Sequence, residues 1–361
     1  MKWVYLNERP DFRRTFAADV GHVALCRGEA QVSRGRNVSR RQFGMTAAAA
    51  AAASVLPQAP LLAQTAAPNV SANPWAQLGT MAARARQLGL ATPRMSLGLT
   101  GGTAYNDTMP AAVDFIDHIK ASAAASGAAK SDVDALLKQA SALLMSINNA
   151  ERAPKSQGDP GEQGVQLTQF TYESLRDEYL KLFNTCEINP AHRSQVAWYV
   201  GKLTDTDYDQ SYDTVEDAVC IPWYFTGIVH AMEGSFNFDA HLHNGDPLEK
   251  KTVHVPAGRP PVWLPPSDWP SSAEDALTFE GYANQTDWSL AHTLFRMEAY
   301  NGFGSRRHGI NTPYLWSFSN HYTKGKYVSD GKWDPSYIST QCGGAVMLKA
   351  LVESGKVSFP S

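Results

Sequence analysis

Residues 221–234, IPWYFTGIVHAMEG, hold a single carboxylate, Glu233, and no lysine or arginine. At helical spacing Phe225, Ile228, Val229 and Met232 form a broad apolar stripe, with Pro222 near its start. A helix of this kind cannot face water, so the rest of the chain has to be built around it.

The material for such a surround is present. TYESLRDEYLKLFNTC, NPAHRSQVAWYVGKL, YDTVEDAV, DWSLAHTLFRMEAYNG and SYISTQCGGAVMLKALVESG all carry helical patterns. In the fourth of these, Asp287 can cap the start and Gly302 can end the helix. Between the buried helix and DWSLAH lies HLHNGDPLEKKTVHVPAGRPP. A turn at Asn244-Gly245 followed by the alternation of KTVHV predicts a small β-hairpin there, and a Pro-rich arm over 256–270 follows. The expected class is therefore α+β, mostly helical, with a small β-hairpin after the buried helix.

Upstream, a short helix is predicted within NPWAQLGTMAARARQLGL. A second starts at Pro110, and a third is capped by Ser131 and carries Leu136, Leu137, Ala140, Leu143 and Leu144 on one face. The Pro/Gly-rich stretch 153–166 reads as a boundary. The organisation expected is 1–67 as leader and signal, 68–166 as helical segment and linker, and 167–361 as the main domain.

Charge is uneven along the 361 residues, whose net value is −3. Residues 1–44 hold nine Lys/Arg against four acids and 45–67 hold no charge, which leaves −8 for the remainder. An acidic remainder is a poor match for nucleic acid, where binding rests on phosphate neutralisation. The basic end has its own explanation. SRRQF, with Arg40 and Arg41, precedes a short Ala-rich apolar stretch and then small residues near 63–67. This resembles a twin-arginine export signal, and the apolar stretch is too short to span a bilayer. The expectation is a periplasmic or secreted product with no stable membrane insertion after signal cleavage.

Once the leader and its Cys26 are removed, Cys186, Cys220 and Cys342 remain, an odd number. A Cys186–Cys220 bridge and buried free thiols both stay open.

Glu233 is placed in the last turn of its helix. Apolar neighbours and the negative helix end both disfavour the ionised form, which suits a proton donor. By position alone a solvent-facing glutamate would be the simpler reading. Two motifs favour chemistry. MEGSFNF resembles the E-S-x-F-N stretch around the catalytic glutamate of soluble lytic transglycosylases and goose-type lysozymes. MEAYNGFG, at 297–304, resembles the A-Y-N-A-G motif further along those chains. Here Gly234 precedes the serine, and the family's G-L-M-Q stretch is replaced by the hairpin and Pro-rich arm.

The resemblance, over 167–361, implies a lysozyme-like fold and a glycoside hydrolase or lytic transglycosylase that cuts the β-1,4 backbone of peptidoglycan or a related polysaccharide. It implies Glu233 as general acid and Tyr300 as its support from a facing helix, with no cofactor. Asp246 in the HNGDP turn is the candidate second carboxylate, to hold water or stabilise an oxocarbenium ion, or else simply the cap of that turn. A transglycosylase needs no second acid, because the sugar's own hydroxyl attacks. Candidate substrate-binding residues are His243, Asn244, Asn301, Trp316, Asn320 and His321. Two rivals remain: a zinc-dependent wall peptidase using His241 and His243, with Asp246 and His254 near, and a non-catalytic wall-binding protein.

Overall fold

The computed structural model describes residues 73–93, 105–151, 170–254, 256–263, 268–329 and 332–359. The twin-arginine signal lies outside them.

The expected buried helix is the centre of the molecule. It spans Trp223–Gly234 (α7), and all ten residues from Phe225 to Gly234 are buried. Around it pack Lys130–Glu151 (α3), Arg193–Leu203 (α5), Thr206–Val219 (α6), Leu290–Asn301 (α9) and Gly344–Glu353 (α11). A helix apolar on nearly every side needs partners on every side, and these five supply them. Outside this layer, Pro74–Gln87 (α1) and Tyr105–Ser126 (α2) lie against α3, Tyr172–Asn184 (α4) lies against α9, and Trp269–Phe279 (α8) lies against α6. The short Pro313–Trp316 (α10) touches α9 and α11.

Local signals account for most boundaries. Asn73 caps α1, the Thr171 and Ser174 side chains form a reciprocal cap on α4, and Asp205 caps α6. Gly302 ends α9 at φ 94, a conformation glycine adopts without a Cβ penalty. Asp287 does not cap α9 directly. Ser289 occupies that position, and Asp287 accepts its N–H at 2.9 Å. Pro110 lies inside α2 rather than at its start, because the helix already begins at Tyr105.

Two expectations are corrected. The first concerns the hairpin. The Asn244-Gly245 turn forms, with Gly245 at φ 80 and its N–H donating to His241 O at 2.8 Å. Only one bridge, Ala240 to Pro247, joins its arms, and residues 251–254 are not a strand. Instead the Asp246 carboxylate takes on its Oδ2 the N–H groups of Val253 (2.7 Å) and His254 (2.9 Å), consecutive donors that a strand would point to opposite sides. The antiparallel hairpin present is Lys326–Ser329 (β1) with Lys332–Asp334 (β2), much further along. The second concerns the Pro-rich arm, which ends at Asp268, two residues before 270, and gives way to a helix the sequence did not suggest. Asp268 accepts from Ser271 N at 3.0 Å and starts α8, whose proline is tolerated in the first turn. The class is nonetheless mostly helical with a little β structure, as expected.

Cys186 and Cys342 are free, buried thiols, so no Cys186–Cys220 bridge exists. Cys186 follows α4 in the core, whereas Cys220 terminates α6 in a left-handed conformation. Burial pushes the Cys186 thiol up to about 11, which makes it a poor nucleophile. No helix among the described residues is long and apolar enough to cross a membrane.

Candidate active site

Glu233 sits in the final turn of α7, 3 % exposed, on a small, partly open cleft of about 50 Å³. The opposite walls come from distant stretches: Asn301 at the end of α9, Tyr314 on α10, Lys326 and Tyr327 on β1, and Gln341 before α11. The phenol of Tyr314 donates to Glu233 Oε1 at 3.1 Å, and Gln341 Nε2 donates to the carbonyl of Met232 at 2.8 Å.

Tyr314 is held in place by backbone contact. Gly343 packs so tightly on α10 that a Cβ there would stand 2.3 Å from Leu315 O. Gly234, which sets this chain apart from the E-S-x-F-N pattern, also has a steric reason. A Cβ at 234 would lie 2.9 Å from the imidazole carbon of His230, one turn back on the same helix.

Lys326 brings a buried ion pair to the cleft wall. Its ammonium donates to Glu151 Oε1 at 2.6 Å and also to the Glu151 carbonyl. The same carboxylate accepts from Ser339 Oγ, Thr340 N, Thr340 Oγ1 and Tyr337 Oη at 2.9–3.1 Å. Burial opposes ionisation of Glu151, but Lys326 and the Thr340 donors outweigh it and hold the carboxyl below its ordinary value.

Of the residues picked out in the sequence, the cleft brings together Glu233 and Asn301. Tyr300 is buried behind it, stacked on Tyr282 with its hydroxyl 3.5 Å from Leu242 O; the phenol that donates to the Glu233 carboxyl is that of Tyr314. Asp246 is not among the residues lining the cleft. Its oxygens are occupied by Asn244 Nδ2, His254 Nδ1 and the two backbone N–H groups already named. Burial is outweighed there by the donors of His254 and Val253, which hold the carboxyl below its usual value. Asn244 closes the same loop by donating to His254 O.

Trp316 is a core residue, 1 % exposed. Asn320 and His321 pin the segment after α4, with Asn320 Nδ2 on Thr185 O (2.9 Å) and His321 Nε2 on Thr185 Oγ1 (3.1 Å). Neither lines the cleft.

The histidines of the zinc reading are engaged elsewhere. His241 bonds Ser272 Oγ and Lys250 O, each at 2.7 Å. His243 Nε2 bonds Asp275 Oδ2 at 2.8 Å, and Arg259 holds the other oxygen of that carboxylate. Among the described residues no three His, Cys, Asp or Glu side chains converge as a metal site would require.

Lys326, Gln341 and Glu151 were not singled out in the sequence, since no local pattern marks them; Tyr314 stood out there only among the aromatic residues that could stack on a sugar ring.

No protein-family model, curated protein or solved structure matches the chain.

Proposed function

We propose that this protein is an exported, lysozyme-like glycan-cleaving enzyme acting on the β-1,4 backbone of peptidoglycan or a related polysaccharide. Glu233 is its general acid. The observation that carries this reading is a carboxyl buried at the end of an apolar helix, oriented by a phenol, and set on a small, partly open cleft with hydrogen-bonding walls. Such a group can hand a proton to a glycosidic oxygen as the bond to the sugar breaks. The MEGSFNF and MEAYNGFG resemblances agree with this, since Glu233 and Asn301 from the two motifs meet on one cleft. Export through the twin-arginine route would bring the enzyme to its polymer in the periplasm or outside the cell.

Asp246 favours one mode of cleavage. Its donors occupy it and it stands off the cleft, so the sugar's own hydroxyl is the better candidate nucleophile than a water held by a second carboxylate. Lytic transglycosylation is therefore preferred to hydrolysis.

The test uses the full chain and purified sacculi, with products identified by mass spectrometry. Anhydro-sugar ends are expected, and Glu233→Gln should lower their release by at least 10² to 10⁴, roughly the share of general acid catalysis. Reducing ends would indicate hydrolysis. Intact glycan with cut peptides would indicate a peptidase, and binding without release a wall-binding protein; either would overturn the proposal.

A further inference from the structure

The last carbonyl groups of a helix have no partner inside it. At the end of α7 two of them receive side-chain amides from other parts of the chain. Gln341 serves Met232 O, and Asn148 Nδ2 donates to Glu233 O at 2.7 Å. Asn148 lies on α3, in the segment upstream of the 153–166 stretch, and is fully buried.

Asn148 also acts on the residue beyond the helix. Its Oδ1 accepts from Ser235 Oγ at 2.7 Å, and Ser235 is the left-handed residue (φ 49) on which α7 stops. The Tyr105 phenol on α2 is 3.0 Å from the same hydroxyl, and Gln341 Nε2 reaches that phenol at 3.3 Å. The backbone that carries the carboxyl is thus gripped at its own carbonyl and, just past the helix end, at the side chain of Ser235. One turn further along α3, Glu151 holds Lys326 and Ser339, part of the facing wall of the cleft, and Thr340 beside them. A single helix therefore spaces the Glu233 backbone from that wall.

We propose that α3 is a member of the active site and that Asn148 is the positioning residue of Glu233, fixing where the acid stands relative to the cleft. The proposal rests on the assignment of Glu233 as the acid. Its physical basis is that the amide supplies both a donor and an acceptor to buried groups that no water reaches, so removing it frees the last turn of α7. A shift of an ångström in a reacting group can lower turnover about 100-fold.

The experiment compares wild type, Asn148→Ala and Asn148→Asp in the full chain, by kcat and KM on soluble glycan strands, with melting curves in parallel. Asn148→Ala is expected to lower kcat by about 100-fold while KM stays within about twofold. Asn148→Asp is expected to recover toward acid pH relative to wild type. Protonated, its carboxyl presents an O–H to Glu233 O as the amide does; ionised, it sets oxygen against oxygen. A role in stability alone would lower the melting temperature and leave kcat of the folded protein unchanged at every pH, which would overturn the proposal. Should Asn148→Ala fail to fold, Tyr105→Phe is read instead. A severalfold fall in kcat supports the proposal, and wild-type kcat overturns it. If Glu233→Gln is inactive while Asn148→Ala is fully active, this proposal alone fails. If Glu233→Gln keeps its activity, the functional assignment fails and takes this proposal with it.

Discussion

Tyr314 and Glu233 stand 81 residues apart in sequence and share a hydrogen bond of 3.1 Å between the phenol and Oε1. The phenol is fixed from behind, because α10 lies so close to Gly343 that even a Cβ there would clash with Leu315 O. Its bond to the carboxyl therefore sets the rotamer of Glu233 rather than following it.

Removing that bond should misplace the acid without emptying the cleft. Tyr314→Phe is expected to lower kcat about tenfold, with KM little changed, in line with a side-chain hydrogen bond worth about 1–1.5 kcal/mol. Steady-state kinetics on soluble glycan strands check this. An unchanged kcat would show that the carboxyl is oriented by other contacts.

For Asp246 the expectation is a stability effect. Asp246→Asn exchanges an acceptor of four hydrogen bonds for a group that can accept on one oxygen only. Thermal unfolding should show a loss of about 1–3 kcal/mol, while turnover of the folded protein stays within about threefold of wild type under the intramolecular mechanism. A fall of more than tenfold in kcat at a temperature where the variant is folded would bring Asp246 into the chemistry.

Acid sensitivity follows from the buried histidines. Burial pushes His230 down to about 3 and His243 down to about 4, and it lowers His241 as well. The unfolded chain binds protons at these sites near the ordinary value of about 6.5, whereas the folded chain holds them neutral. Between those limits the unfolded state carries more protons, so stability rises with pH there. It should be fully present above about pH 6.5 and decline on acidification toward about pH 4, by up to about 1.4 kcal/mol per pH unit for each histidine. Chemical denaturation at pH 7, 5.5 and 4.5 measures the slope. A flat profile would mean that these histidines are protonated in the folded protein.

The elements legible in the sequence were those whose cause is local. The apolar stripe of Phe225, Ile228, Val229 and Met232 marked the central helix, and Gly302 marked the end of α9. Helix α8 was hidden because Trp269-Pro270 continues a Pro-rich tract, although a proline in a first turn is no obstacle to a helix. The KTVHV alternation misled because a side chain, Asp246, took two consecutive backbone donors that a strand would have pointed to opposite sides. In the site, Glu233 and Asn301 were legible from short motifs. Lys326, Gln341 and Asn148 were not, nor was the bond of Tyr314 to Glu233, because each earns its place through a contact that only the folded chain makes.

The position of α7 has a consequence for the order of folding. Its last turn is completed by Asn148, 85 residues before Glu233, and by Gln341, 109 residues after Met232. Closing loops of that length costs entropy before any contact repays it, so such pairings form late. A chain still emerging from the ribosome would contain Glu233 and Asn148 before Gln341, the phenol of Tyr314 or the facing wall. The proposed glycan cleavage would then switch on in one step with native assembly, and its measured onset would serve as a direct clock for the slowest stage of folding.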